Sequence, residues 1–243
     1  VSTAPLIVRA PQVNFATATA TIDEQNGEAT LTVVLDAPNG AGPVTLAYQT
    51  TTQGTAQTGS DYTAVNGIVT IPAGQTSATF TVPLQDDALD EADETVILTL
   101  SNPVGAVLGT TTTATLTLVD NDAAPILSIS NVTVNENNGT AIFAVTLNVP
   151  SGRDVAVTVN TVDGTATAPT DYTAIQNLLL TLPAGQTSAS ITVSLVDDGV
   201  KEENEQFSIN LSSPVNVTLL STVTTATITD NDNFGLYMPI IRR

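Results

Sequence analysis

An internal repeat constrains this chain more than any other feature of its sequence. Three runs recur about 110 residues later: Gly54-Thr55-Ala56 as Gly164-Thr165-Ala166, Asp61-Tyr62-Thr63-Ala64 as Asp171-Tyr172-Thr173-Ala174, and Pro72-Ala73-Gly74-Gln75-Thr76-Ser77-Ala78 as Pro183-Ala184-Gly185-Gln186-Thr187-Ser188-Ala189. A repeat of this length corresponds to a whole domain and not to one turn of a solenoid. The sequence therefore predicts two similar domains in tandem.

The repeat also predicts where each domain begins and ends. We place an N-terminal segment at 1–13, the first domain at 14–122, a linker at 123–126, the second domain at 127–232 and a C-terminal tail at 233–243. The linker contains Pro125, which restricts its backbone.

Short runs with a period of two predict β-strands. Ala78, Phe80 and Val82 alternate with Thr79 and Thr81, and the counterpart of this run in the second repeat has the same pattern. Such runs put one face of a strand in a core and the other in water. About seven strands in each repeat, separated by turn residues, are typical of a sandwich. The predicted fold class is all-β: two tandem immunoglobulin-like (Greek-key) β-sandwiches.

Two Asn-Gly pairs lie between apolar runs. Asn26-Gly27 in the first repeat and Asn138-Gly139 in the second are the strongest short signal for a two-residue hairpin turn. The sequence therefore predicts a hairpin at each pair.

Charge and composition exclude several classes of function. The formal net charge is −19, with no histidine and no cysteine. Nucleic acid and anionic membrane would be repelled, and no apolar run is long enough for membrane insertion. A Ser-His-Asp triad, a Cys-His pair and the usual zinc sites lack their essential residues. The sequence therefore favours a soluble surface protein or a protein that binds cations. We expect it to be a monomer.

The acidic residues recur in two matching sets, which together hold 16 of the 24 carboxylates. The first set is Glu24, Asp61, Asp86, Asp87, Glu91, Glu94, Asp120 and Asp122, and the second is Glu136, Asp171, Asp197, Asp198, Glu202, Glu205, Asp230 and Asp232.

The strand pattern predicts that these carboxylates converge at one rim of each sandwich. Asp86 continues the inward face of Val82 and Leu84, just beyond the predicted strand end, and Asp120 follows another strand in the same way. Carboxylates about 4 Å apart repel one another by about 1 kcal/mol in water and about 4 kcal/mol at an effective dielectric constant near 20. An oxygen cage of this kind suits calcium, which accepts about 6–8 oxygen ligands in irregular geometry.

The joint spacing of these motifs resembles the Calx-beta family. The resemblance rests on Asp61-Tyr62, Ile71-Pro72-Ala73-Gly74, the acidic residues between 86 and 94, and Leu118-Val119-Asp120-Asn121-Asp122, and it recurs in the second repeat. The family includes regulatory domains of sodium–calcium exchangers, integrin β4 and many bacterial surface proteins. The resemblance implies that calcium is the cofactor and that all eight acids of each set are ligands.

The resemblance also implies ligands other than carboxylates. The backbone carbonyls of Leu89 and Val200 are expected to assist. The middle residue of the terminal triplet is Asn121 in the first repeat and Asn231 in the second. This departure from the family pattern lowers the charge of each cluster without removing an oxygen.

These observations predict a calcium-binding module and not an enzyme. The expected role is a spacer or adhesion element, made rigid by calcium, which is secreted or displayed on a bacterial cell surface and meets a surface protein or glycan there. One alternative is a calcium-sensing regulatory module attached to another domain. The other is a calcium-dependent carbohydrate-binding module, which would need exposed aromatic rings.

Overall fold

A computed structural model of the chain describes residues 9–232. The predicted C-terminal tail, 233–243, and residues 1–8 of the predicted N-terminal segment lie outside the described residues.

The chain divides into two compact units. The first holds residues up to 88 together with 92–122, and the second holds 89–91 and the residues from 123 onward. The three residues Leu89–Glu91 thus lie in the first repeat by sequence but group with the second unit by their contacts.

Within residues 9–232, nine strands form in each unit. Those of the first are β1 (Gln12–Phe15), β2 (Thr19–Asp23), β3 (Glu28–Leu35), β4 (Val44–Thr51), β5 (Asn66–Ile71), β6 (Ser77–Pro83), β7 (Glu94–Val104), β8 (Val107–Leu108) and β9 (Thr113–Val119). Those of the second are β10 (Ile126–Ile129), β11 (Val132–Asn135), β12 (Thr140–Leu147), β13 (Val155–Asp163), β14 (Leu178–Leu182), β15 (Ser188–Ser194), β16 (Glu205–Val215), β17 (Thr218–Leu219) and β18 (Val223–Thr229).

Each unit is a sandwich of one four-stranded and one five-stranded sheet. In the first unit the strand orders are β6-β3-β1-β8 and β2-β9-β7-β4-β5. In the second they are β15-β12-β10-β17 and β11-β18-β16-β13-β14. Strands that are distant in sequence lie side by side in these sheets, as in a Greek key, which confirms the predicted all-β fold class.

The two sheets of each unit enclose an apolar core. In β6, Phe80 and Val82 are buried while the threonines between and beside them are exposed. In β7, Val96, Leu98 and Leu100 face the core in the same way. The period-two pattern of the sequence therefore identifies the inward face of these strands.

The hairpins predicted at the Asn-Gly pairs are wrong. Glu24–Asn26 is a single 3-10 turn, and Gly27 ends it with a φ of 73°, in the left-handed region. Strands β2 and β3 on either side of this turn belong to different sheets. The turn that contains Glu24 and ends at Gly27 therefore connects the two sheets of the sandwich. In the second repeat, the 3-10 turn Glu136–Asn138 connects the two sheets in the same way.

The recurring Gly-Thr-Ala motif marks a close approach between two backbones. A Cβ atom at Gly54 would lie 1.9 Å from the carbonyl oxygen of Thr95, and one at Gly164 would lie 2.3 Å from that of Gln206. Two residues later, the Ala56 amide donates to this Thr95 oxygen at 3.1 Å. Glycine is required here because any side chain would collide with the strand.

The helical content of residues 9–232 is limited to the two 3-10 turns. No helix in this range is long and apolar enough to span a lipid bilayer.

Aromatic packing at the centre of the second unit gives a test of its core. Phe207 is 0% exposed, stacks on Tyr172 with 4.2 Å between ring centroids, and meets Phe143 edge-on. We expect Phe207→Ala to lower the free energy of unfolding by about 3–5 kcal/mol, through lost burial and a residual cavity. The control is Ile142→Ala, at a position that is 57% exposed. Urea denaturation measures both, and equal losses would contradict the packing described.

Candidate metal centre

Parallel strand pairing brings two acidic residues together in the first unit. Strand β2 runs parallel to β9, in a register that sets Asp23 opposite Val119. The next residues along the two segments are Glu24, which opens the 3-10 turn, and Asp120. Because both strands run in the same direction, these two carboxylates leave the sheet at the same edge.

The second unit repeats this geometry. Strand β11 runs parallel to β18, with Asn135 opposite Thr229, so that Glu136 and Asp230 follow side by side. The antiparallel neighbour β16 begins at this edge, where Glu205 pairs with Ile228. Glu136, Asp230 and Glu205, from three separate segments, therefore lie at the same end of the sandwich.

Three groups of carboxylates lie close enough to share an ion. Within residues 9–232, each group offers oxygens that are all within 4.8 Å of one another. The groups are Glu24 with Asp120 and Asp122, Glu136 with Asp230 and Asp232, and Asp171 with Glu202 and Glu205. Nine predicted ligands are thus brought together in triplets, one in the first unit and two in the second.

Burial and like charges act together on Glu24. The residue is only 9% exposed. Burial, and then the charges of Asp120, Asp122, Asp86 and Asp87, raise the pKa of Glu24 to about 7. A divalent cation at this position would favour the ionised form and relieve the repulsion.

In the second unit an asparagine links three segments of the cluster. The Asn231 side-chain amide donates to Glu136 Oε1 at 2.7 Å and to Asp197 Oδ1 at 3.0 Å, and the Asn231 backbone amide donates to the same Glu136 oxygen at 3.0 Å. Its counterpart in the first unit, Asn121, is exposed. The Asn231 amide nitrogen, and not its oxygen, therefore faces the carboxylates.

The aspartate of each Asp-Tyr pair also closes a loop. Asp61 Oδ2 accepts the backbone amide of Gln57 at 2.5 Å, and Asp171 Oδ2 accepts that of Thr167 at 2.7 Å. The tyrosine that follows each aspartate is buried. These aspartates hold the local loop conformation whether or not they also bind an ion.

The second unit has an acidic cleft around the Asp171 group. Burial, and then the charge of Asp171, raise the pKa values of both Glu202 and Glu205 above their ordinary range. Seven of its ten lining residues are acidic: Glu136, Asp171, Asp198, Glu202, Glu203, Glu205 and Asp230, with Thr170, Val196 and Ile228. Glu203 was missed by the sequence analysis, because Ala92 occupies its place in the first repeat and only recurring acids were selected.

Some predicted ligands lie outside the three groups. Leu89 and Glu91 group with the second unit, where a Cβ atom at Gly152 would lie 2.5 Å from Glu91 Cγ. Val200 donates its amide to Asp198 Oδ1 at 2.7 Å. Glu94 opens β7 opposite Leu118. The roles of these residues in metal binding stay predictions.

The donor set fits calcium. Every side chain in the three groups offers carboxylate oxygens, the donors that calcium prefers. Within the described part of the chain, Asp232 Oδ2 is buried and accepts no hydrogen bond. Burial, and then the charges of Glu136 and Asp230, raise the pKa of Asp232 above its ordinary value. A buried carboxylate oxygen beside two further carboxylates is the environment that a hard cation would stabilise.

Replacing one crowded carboxylate tests the electrostatic description. Glu205→Gln removes a charge from the Asp171 group and supplies an amide that can donate to Asp171. In chelator we expect the melting temperature to rise by about 2–5 °C, because repulsion is relieved. Differential scanning calorimetry measures the shift, and Glu28→Gln, on the exposed face of β3, serves as the neutral control. A fall in the melting temperature would show instead that Glu205 has a stabilising ion pair or hydrogen bond.

Known proteins that resemble this chain are long, and the chain spans only a small part of each. Adhesion G-protein coupled receptor V1 of Danio rerio is 28% identical over 170 residues, which are 66% of this chain and 3% of the receptor. Sodium/calcium exchanger 1 of Canis lupus familiaris is 28% identical over 184 residues, which are 68% of this chain and 19% of the exchanger.

Solved structures that resemble this chain include CBD12 from CALX1.2, which is 21% identical, with 89% of this chain and 99% of that one covered and a TM-score of 0.45. The apo form of the Calx CBD1 domain is 31% identical, with 45% and 100% covered and a TM-score of 0.43. The Calx-beta domain family itself matches twice, over residues 8–122 and 120–232. The chain belongs to the Calx-beta family and contains two of its domains in tandem.

Proposed function

We propose that each Calx-beta unit binds calcium through the carboxylates at its loop end. The observation that carries this proposal is that the same triplet recurs in both units. The oxygens of each triplet lie within 4.8 Å of one another, and the triplets are Glu24 with Asp120 and Asp122, and Glu136 with Asp230 and Asp232. Glu24 and Glu136 are both buried, and a buried carboxylate beside further carboxylates is costly to keep ionised. A bound divalent cation offsets that cost.

The second unit contains two of the three carboxylate triplets. Glu136 and Asp230 of one triplet and all three residues of the Asp171 triplet line one cleft, and the oxygens of each triplet lie within 4.8 Å of one another. Neighbouring ions can share bridging carboxylates, because each carboxylate has two oxygens. We therefore propose two calcium subsites here.

The biological role that we propose is a non-catalytic spacer or adhesion element at a bacterial cell surface, with calcium making the loop ends rigid. Support comes from the net charge of −19 and the acid clusters confined to loop ends. One similar protein is an adhesion receptor. A carbohydrate-binding role has less support, because no aromatic ring is exposed between residues 9 and 232.

A calcium sensor is the second candidate, because another similar protein is a sodium/calcium exchanger. Affinity separates the two roles. Extracellular modules bind calcium with dissociation constants of about 10⁻⁴–10⁻³ M, whereas sensors work near about 10⁻⁷–10⁻⁵ M. Isothermal titration of calcium into the chelator-treated chain gives this value directly.

Calcium should stabilise the folded chain by mass action. A hundredfold excess over the dissociation constant contributes about 2.7 kcal/mol for each independent site, so the melting temperature should rise clearly above that in chelator. Magnesium at the same concentration should raise it much less, since magnesium requires a near-octahedral site and keeps its waters. Calorimetric scans in chelator, calcium and magnesium make the comparison.

A matched pair of variants tests whether the calcium-induced rise in melting temperature depends on the Glu136 triplet. Asp232→Asn removes the charge of the buried carboxylate and should reduce the calcium-induced rise, whereas Glu28→Gln, outside the clusters, should leave it intact. Superimposable melting curves of the parent chain in chelator and in millimolar calcium would contradict the proposal that the chain binds calcium.

A further inference from the structure

A lysine of the chain itself contacts the second acidic cluster. Lys201 Nζ lies 3.3 Å from Asp230 Oδ2, and the side chains are 39% and 8% exposed, respectively. Asp230 belongs to the triplet with Glu136 and Asp232. One proposed calcium ligand is therefore already paired with a positive charge.

Both carboxylate oxygens of Asp230 are engaged. Oδ1 accepts the backbone amide of Asp232 at 3.2 Å, while Oδ2 faces Lys201. A metal ion that binds Oδ2 therefore competes with the ammonium group for this oxygen.

The lysine has no counterpart in the first repeat. In the aligned segments, 86–94 contains six acidic residues and no basic one, whereas 197–205 contains five acidic residues and Lys201. The position equivalent to Lys201 is Asp90, a buried acid that pairs with Arg153 within the second unit. The counter-ion is thus a specific feature of the second cluster.

The Asn231 amide acts in the same direction as the lysine. It donates to Glu136 and Asp197, which belong to two other segments of the cluster. Together the amide and the ammonium supply part of the compensation that a bound cation would otherwise provide. The second cluster is therefore held partly by groups of the protein itself.

We propose that Lys201 is a built-in counter-ion of the second cluster, which secures Asp230 in the absence of calcium and lowers the calcium affinity of this cluster because the ion competes with it for Asp230. The inference rests on the proposed calcium binding. It makes Lys201 a residue that sets affinity and not a ligand.

Calcium titration of Lys201→Gln tests the inference. To isolate the second cluster, the variant is made in the full chain carrying Glu24→Gln and Asp122→Asn, which weaken the first cluster. Partly exposed ion pairs contribute up to about 1 kcal/mol, so the dissociation constant should fall about three- to fivefold. In chelator the melting temperature of Lys201→Gln should drop, because Asp230 loses its partner.

Two control variants separate a local contact from net charge. Lys201→Arg keeps the cation and should bind calcium like its background chain. Arg9→Gln makes the same change in net charge as Lys201→Gln, but it lies in the first unit, where it pairs with Asp36. Arg9→Gln should leave calcium binding by the second cluster unchanged.

The results that overturn the inference are distinct from those that overturn calcium binding. Equal dissociation constants with and without Lys201, or a higher melting temperature of Lys201→Gln in chelator, exclude the counter-ion role while calcium still binds. An absence of calcium binding in both chains excludes the second cluster as a calcium site, and the inference falls with it.

Discussion

Repulsion between carboxylates that the fold forces together is the constraint on which the loop end of each unit depends. Strand pairing fixes the positions: the parallel registers of β2 with β9 and β11 with β18 place Glu24 beside Asp120 and Glu136 beside Asp230. A carboxylate pair about 4 Å apart costs about 1–4 kcal/mol, depending on how much water screens it.

The apolar core outweighs this repulsion. Burial of one large apolar side chain contributes about 1.5–3 kcal/mol. Twenty described hydrophobic residues are buried in each unit. The core therefore decides the fold, and the charges must be accommodated within it.

The two units accommodate this repulsion differently although their sequences align. In the first, Glu24 faces Asp86, Asp87, Asp120 and Asp122, and its pKa rises to about 7. In the second, Asn231 bridges Glu136 and Asp197, and Lys201 contacts Asp230. Small differences at the loop positions thus alter the electrostatics of a cluster without altering the strands that position it.

Some acidic residues have structural as well as binding potential. Asp61 and Asp171 each accept a backbone amide from four residues upstream, which fixes the loop before the buried tyrosine. Asp198 similarly accepts the amides of Gly199 and Val200. These aspartates therefore stabilise the conformation of their loops even where no cation is bound.

The sequence by itself determined the tandem arrangement, the all-β class and the inward faces of the strands, because repeats and a period of two are local properties of the chain. It also predicted that carboxylates converge at the rim of each sandwich, and nine of the predicted ligands lie in the three triplets. Asp86, which strand parity placed on the inward face, is exposed and lies outside the triplets. It failed at Asn26-Gly27: a turn within one sheet and a turn between two sheets use the same residues, and only the hydrogen-bonded partners of β2 and β3 distinguish them.

The tertiary structure alone decided which carboxylates become neighbours and which groups oppose their charge. The grouping of Glu91 with the second unit, the direction of the Asn231 amide and the contact of Lys201 with Asp230 depend on residues far apart in sequence. Comparison of the repeats selected only positions that recur, so it passed over Lys201 and Glu203. Charge compensation depends on distances in space, and a repeat in sequence records only which positions are shared.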